Sequence, residues 1–311
     1  MPTDARYWDS RLETLPPPEL RHVQDHRLQW QIQRCWSGSA FYRSRLERAG
    51  LGPRDVRGRA DLARLPILTE RELAADRRAY PPSGSSIVAP RDWWAEQDGL
   101  DDSAGETIVL TDGDLIHQTG LAARALWAWG ARPRLSRAPT IDVLADGPRV
   151  GAMLRRAAEA GLAKIGAASG DREVVVGAAS DAPAPPIRAI WLAAVPARGI
   201  ATPGGEGSDP YLALGHPRVA PTMAFECEAR RGLHWAEDHF LLEILDPATL
   251  ARLPDDRAGA LVVTHLTREG SPLIRYWTGL ETRLDRSDCA CGRTRARSAT
   301  IARARPLADE P

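Results

Sequence analysis

Between Glu226 and Pro247 the chain reads Glu-Cys-Glu-Ala-Arg-Arg-Gly-Leu-His-Trp-Ala-Glu-Asp-His-Phe-Leu-Leu-Glu-Ile-Leu-Asp-Pro, which packs Cys227, His234 and His239 into thirteen residues. A second pair, Cys289 and Cys291, follows about fifty residues later in Asp-Cys-Ala-Cys-Gly-Arg-Thr. Three thiols and an imidazole are a common ligand set for structural zinc, which takes four tetrahedral donors. If both pieces serve one ion, the intervening chain has to fold back and deliver the Cys-x-Cys turn to the earlier strand. The spacing alone leaves two readings open, because Cys-x6-His and Cys-x-Cys are looser than paired Cys-x2-Cys knuckles. In the second reading Cys227 is a small core residue and Cys-x-Cys an accident of a turn. Cys227, His234, Cys289 and Cys291 are the preferred set, with His239 the competing ligand, otherwise a buried histidine hydrogen-bonded beside Asp238. Glu237 or Asp238 is the expected partner for a ligating imidazole, since metal-bound histidines are usually oriented by a further group. Four protein ligands would close the site and make it structural.

A chain of 311 residues buries a substantial core. Its 41 basic and 41 acidic side chains are interspersed and cancel, which gives no support to a nucleic-acid or anionic-membrane partner. No window approaches eighteen uninterrupted apolar residues, and the first residues lack a secretion pattern. Four cysteines in so long a chain make no disulfide framework, so a reducing cytoplasm is the expected location.

Patterning predicts helices first. Pro16-Pro17-Pro18 opens a run from Glu19 to Trp36 whose apolar face is Leu20, Leu28, Ile32 and Cys35, which makes Cys35 a core residue. Further helices are expected at Ala40–Ala49, stopped by Gly50, and near Arg59–Leu65, with Thr69 capping another through Glu72. From 107 to 200 the pattern is α/β: strands at Thr107–Leu110, Thr140–Leu144, Glu173–Val176 and Ile187–Ala194, with helices at Asp112–Ala128 and Arg149–Ala160. Residues 181–186 and 202–207 read as loops. Phe240–Leu245 reads as a strand. Trp93-Trp94 and the pair Trp127 and Trp129 are expected in the core or in an exposed contact patch.

Several segments together resemble phenylacetate–coenzyme A ligases, members of the adenylate-forming, AMP-binding superfamily. They are Tyr7-Trp8-Asp9, Glu13-Thr14-Leu15-Pro16, Phe41-Tyr42-Arg43, Asp61 to Pro66 and Tyr80-Pro81, then Glu226 to Phe240, Val262 to Tyr276, and Cys289-Ala290-Cys291-Gly292-Arg293-Thr294. Both ends of the chain match well and the middle poorly. The resemblance implies an N-terminal helical segment (1–90), a parallel-sheet α/β subdomain (91–210) and a zinc-containing β-rich subdomain (211–311). The C-terminal lid domain, which carries the family's catalytic lysine, is expected to be absent; Lys164, the only lysine, is no candidate for it.

The same resemblance locates the nucleotide chemistry, and there the residues depart from it. The place of the Ser/Thr/Gly-rich phosphate loop holds Asp98-Gly99-Leu100-Asp101-Asp102-Ser103-Ala104-Gly105-Glu106. Each of its carboxylates would repel a phosphate by roughly 1 kcal/mol even when well screened. Counting back from Glu226 puts Ala213 where the adenine-stacking tyrosine is expected and Pro217 at the magnesium-binding glutamate, and proline offers no oxygen to a hard cation. Starting from Tyr211 instead puts the glutamate place on Gly215. Leu280 replaces the ribose-binding aspartate after Thr278-Gly279, and Glu281, one residue on, points to the other face of a strand. ATP and Mg²⁺ are therefore not expected as cofactors, and whether the chain is an enzyme is left open. The leading expectation is a degenerate ligase homologue, a pseudoenzyme with structural zinc, acting as an accessory or binding protein. Its partner would be an active ligase or a carrier protein, or an acyl or aryl small molecule. One alternative is a repurposed enzyme acting on an acyl thioester, with His216 or Glu281 as weak candidates for the acid–base group. The other is a residual ligase completed by a lid from another chain.

Overall fold

The computed structural model describes residues 6–95, 108–129, 140–143, 164–165, 174–176, 189–192, 200–201, 211–305 and 307. Its helices are α1 (Ser10–Glu13), α2 (Pro17–Gly38), α3 (Ala40–Arg48), α4 (Glu70–Ala79) and α5 (Asp112–Ala128). The first strands are β1 (Thr140–Val143), β2 (Lys164–Ile165), β3 (Val174–Val176), β4 (Ala189–Leu192), β5 (Ile200–Ala201) and β6 (Tyr211–His216). They are followed by β7 (Ala220–Glu226), β8 (Leu233–Trp235), β9 (Phe240–Leu245), β10 (Gly259–His265), β11 (Tyr276–Thr282), β12 (Arg297–Ser298) and β13 (Thr300–Arg303). Contacts divide the chain into two units that interleave in sequence. One comprises Met1–Leu15, Ile116–Ala236 and Thr282–Arg303; the other comprises Pro16–Leu115, Glu237–Glu281 and Ala304–Pro311.

The first unit is built on a sheet of order β12-β8-β7-β6-β4-β3-β1-β2. From β2 to β6 neighbouring strands run parallel, and from β6 through β7 and β8 to β12 they run antiparallel. The parallel half is the α/β body expected from the alternating pattern. In the antiparallel half short turns join β6 to β7 and β7 to β8, and β12 returns from far along the chain; Cys227 lies just beyond β7 and His234 at the centre of β8.

In the second unit α2 starts on prolines, which cost nothing where the first helical N–H groups have no partner. Its buried positions are Leu20, Gln24, Leu28, Gln31, Ile32 and Cys35, the expected apolar face plus two glutamines. The glutamines tolerate burial because their amides donate to main-chain carbonyls, Gln24 to Glu237 at 2.7 Å and Gln31 to Arg268 at 2.6 Å. Thr69 and Glu72 exchange capping-box hydrogen bonds of 3.3 and 3.1 Å at the start of α4. Gly50 takes the positive φ (+68°) that ends α3. β9 and β10 pair antiparallel from Phe240↔His265 to Leu245↔Ala260, and every residue of both strands is buried.

The helix expected near Arg59–Leu65 is a 3₁₀ helix over Arg59–Arg64. One expectation is corrected. Residues 108–110 form no strand: the Val109 N–H goes to Ser271 Oγ at 3.0 Å, and the Val109 carbonyl lies against Gly270, where a Cβ would come within 2.2 Å of it. The backbone is spent on a loop crossing, so no ladder forms. The expected helix at Arg149–Ala160 and the loops at 98–106, 181–186 and 202–207 lie outside the described residues.

Glu243, midway along β9, is the charged residue in an apolar strand. Its carboxylate receives Arg275 Nε and a terminal nitrogen at 3.1 Å each, and the same guanidinium donates to the Leu65 carbonyl at 2.6 Å. These bonds hold Arg275 at φ +55°, a left-handed backbone that costs a side-chain-bearing residue about 1–3 kcal/mol. Replacing Glu243 by Ala would strand a buried cation. It is expected to lower unfolding free energy by roughly 3–5 kcal/mol in urea titrations, with Glu243→Gln milder.

Candidate metal centre

The first unit brings Cys227, His234, Cys289 and Cys291 together, with one donor atom from each inside 4.8 Å of the others and all four residues buried. Cys227 follows directly after β7, where the chain turns through Arg230 and Gly232 (φ +49° and +103°) into β8. β8 returns antiparallel to β7, with His234 opposite Phe225. Cys289 and Cys291 sit on a tight turn closed by Gly292 N–H to the Cys289 carbonyl at 2.9 Å. That turn is held by β12, whose Arg297 pairs with His234.

The distances fit a tetrahedral ion. Cys227 Sγ and Cys289 Sγ are 3.7 Å apart, and Cys291 Sγ lies 3.4 Å from His234 Nε2. Tetrahedral zinc–thiolate bonds of about 2.3 Å imply sulfur–sulfur edges of about 3.8 Å. His234 Nδ1 faces the Arg295 carbonyl at 3.3 Å. A proton on Nδ1 donated there leaves the Nε2 lone pair aimed at the sulfurs. Arg295 thus fills the orienting role expected of Glu237 or Asp238.

The four donors share their protons. A hydrogen bond to Cys291, then burial, raises the Cys227 thiol well above its usual range. The same bond from Cys227 pushes Cys291 down to about 2 against the opposing effect of burial. For Cys289 burial acts upward, but the hydrogen bond from His234 and its neighbours bring the thiol below its usual value. For His234 burial acts downward and is outweighed by Cys289 and Cys291, which raise it. One ion replacing the shared protons would relieve the crowding of all four donors, and the protons belong to the set rather than to any single residue.

The surroundings tie in the N-terminal residues, which sequence patterning did not foresee. Tyr7 Oη donates to the Cys291 carbonyl at 2.7 Å. Arg293, whose main-chain N–H points at Cys291 Sγ at 3.4 Å, is buried and pairs with Glu13 at 2.7 Å. The signal available was the alternation Arg293, Arg295, Arg297 after the Cys-x-Cys turn, three arginines that are all buried.

His239, the competing ligand, belongs to the other unit. There its Nδ1 meets Thr267 Oγ1 at 2.8 Å, and its Nε2 lies 3.5 Å from Asp238 Oδ2. Cys35 is fully buried in α2. Of the tryptophans, Trp129 is buried and donates to the Glu226 carbonyl at 3.0 Å, whereas Trp93 is 55 % exposed.

The positions that resemblance assigns to nucleotide chemistry fall as follows. Ala213 is buried within β6 opposite Phe225, and His216–Val219 is the hairpin turn to β7, with Pro217 exposed at its tip. His216 Nδ1 accepts the Arg218 N–H at 3.1 Å, a local turn bond. Tyr211, the other starting point, has the Arg230 guanidinium 3.9 Å over its ring. In the second unit Gly279 turns with φ +71°, Thr278 Oγ1 accepts the Leu280 N–H at 3.1 Å, and the Leu280 side chain is 6 % exposed. Glu281 is half-buried. His216 and Glu281 lie in different units.

This architecture is the fold of an adenylate-forming CoA ligase. Open 2-hydroxyisobutyryl-CoA ligase superposes with a TM-score of 0.82 at 24 % identity, covering 97 % of this chain and 74 % of that one. The same ligase in its thioesterification state gives 0.81. No family-level sequence profile matches the chain. Curated relatives narrow the class: the chain is 32 % identical to the phenylacetate-coenzyme A ligase of Thermus thermophilus over 94 % of its length and 72 % of the relative's. It is 26 % identical to that of Escherichia coli, over 88 % of this chain and 69 % of the relative. The chain belongs to the phenylacetate-coenzyme A ligase family.

Gly292 tests the geometry of the turn. It sits at φ +81°, and a Cβ there would come within 2.2 Å of Tyr7 Oη. Gly292→Ala is expected to cost about 1–3 kcal/mol of stability from backbone strain alone, read as a lower melting temperature together with a lower metal content. Adding Tyr7→Phe, which removes the clashing oxygen, should recover part of the loss.

Proposed function

We propose that this chain is a phenylacetate-coenzyme A ligase homologue that has given up adenylation and acts as a zinc-stabilised binding or accessory protein. The observation that carries this reading is Leu280. The position expected to hold a ribose with a carboxylate holds a buried leucine, and burying a carboxylate there without partners would be costly. Pro217 at a hairpin tip supplies no side-chain oxygen for magnesium, which supports the same conclusion. Binding of an acyl or aryl compound, or of an active ligase or carrier protein, is the role that then suits the retained body.

Zinc is the ion best suited to three sulfurs and one imidazole nitrogen with no open position. Purified protein is expected to carry one zinc per chain by elemental analysis. Cys289→Ser or His234→Ala should lose it and lower the melting temperature, and removal by a chelator should do the same to the unaltered protein. Full retention of metal in either variant would remove the zinc assignment.

Calorimetric titration with ATP·Mg²⁺ tests the loss of adenylation. No saturable heat is expected; clear saturable binding would overturn the reading and restore ligase chemistry. Turnover of acyl thioesters abolished by His216→Ala would overturn it in favour of a repurposed enzyme.

A further inference from the structure

We propose that His22 and His26 on α2 form a second metal site, open to solvent and selective for borderline divalent transition ions such as Ni²⁺, Cu²⁺ or Zn²⁺. The two residues are four apart, one helical turn, and both are exposed. Side chains at this spacing stand over one another with Cβ atoms about 5–6 Å apart, a reach two imidazoles close around one ion. Among the described residues no polar partner engages either ring.

The neighbouring side chains leave the pair clear. Gln24 points away to the Glu237 carbonyl and Arg27 to the Asp238 carbonyl. Asp25 is taken by Arg59, accepting its main-chain N–H at 2.9 Å and its Nε at 3.2 Å. These bonds, with Gln31 to the Arg268 carbonyl, fix the helix at several points along its length. The imidazoles are therefore carried on a backbone that need not be ordered on binding, which lowers the entropic cost of chelation. Two neutral nitrogen donors select against Ca²⁺ and Mg²⁺, which want oxygen, and rank the transition ions by the Irving–Williams order. The remaining coordination positions stay with water or an incoming ligand, unlike the closed set of Cys227, His234, Cys289 and Cys291.

The test uses the untagged chain, first loaded with zinc, then dialysed to equilibrium against Ni²⁺, which is not reduced by thiols. One nickel per chain beyond the retained zinc is expected. His26→Ala or His22→Ala should weaken nickel binding by at least about tenfold, the scale already seen for outer-shell partners of metal sites. Zinc content and melting temperature should stay unchanged, since both side chains are exposed. Trp30, one turn beyond His26 and 47 % exposed, offers a fluorescence reporter on the same face. No extra nickel, equal nickel uptake by the double variant His22→Ala/His26→Ala, or nickel gained only as zinc is lost would each overturn the proposal.

Discussion

Convergence of three buried sulfurs and an imidazole on one point is the constraint around which the first unit is arranged. Sulfurs 3.7 Å apart with no ion between them gain little from one another. With a divalent ion they become a cross-link between β7, β8 and the turn at 289–292. In small zinc domains such cross-links supply on the order of 10 kcal/mol of apparent folding free energy. Here the cross-link comes with a directional shell: the Arg295 carbonyl sets the imidazole, and Tyr7 and Arg293 hold the turn from the N-terminal side. A bound ion, the turn and the Tyr7–Glu13 segment would therefore stabilise one another.

The second unit is held by other means, with buried charge used as a fastener. Glu243 and Arg275 are both nearly inaccessible and hydrogen-bonded to each other. Asp114 spends its carboxylate on three main-chain N–H groups, those of Thr111, Glu269 and Gly270, at 3.1, 2.7 and 2.8 Å. Bonds of this kind hold loops in place. Leu280, at the place where the family resemblance implies a ribose-binding aspartate, is buried.

Much of this was legible in the sequence, and the reasons are physical. Helices α2 to α4 announce themselves through prolines, capping residues and a terminal glycine, all local signals. Cys227, His234, Cys289 and Cys291 could be grouped because few side chains share their chemistry. The choice between His234 and His239 turned on the β7–β8 pairing: β8 delivers His234 to β7, while His239 lies in the turn before β9 in the other unit. Residues 108–110 looked like a strand because Ile108-Val109-Leu110 is apolar, yet the close passage over Gly270 decided their conformation. No local pattern announces such a crossing. Nor does composition reveal that a main-chain carbonyl, that of Arg295, would orient the imidazole in place of a neighbouring carboxylate.

The interleaving of the first unit bears on how the chain is made. Its residues come from 1–15, 116–236 and 282–303, so Tyr7 and Glu13 leave the ribosome long before Cys291 and Arg293, their eventual partners. Contacts so distant in sequence form late, since the loop has to close before they contribute. The opening residues and the β7–β8 hairpin, with the Cys227 thiol, must wait until residues 282–303 arrive to complete the knot of donors. In this unit the order of synthesis and the order of assembly run against each other.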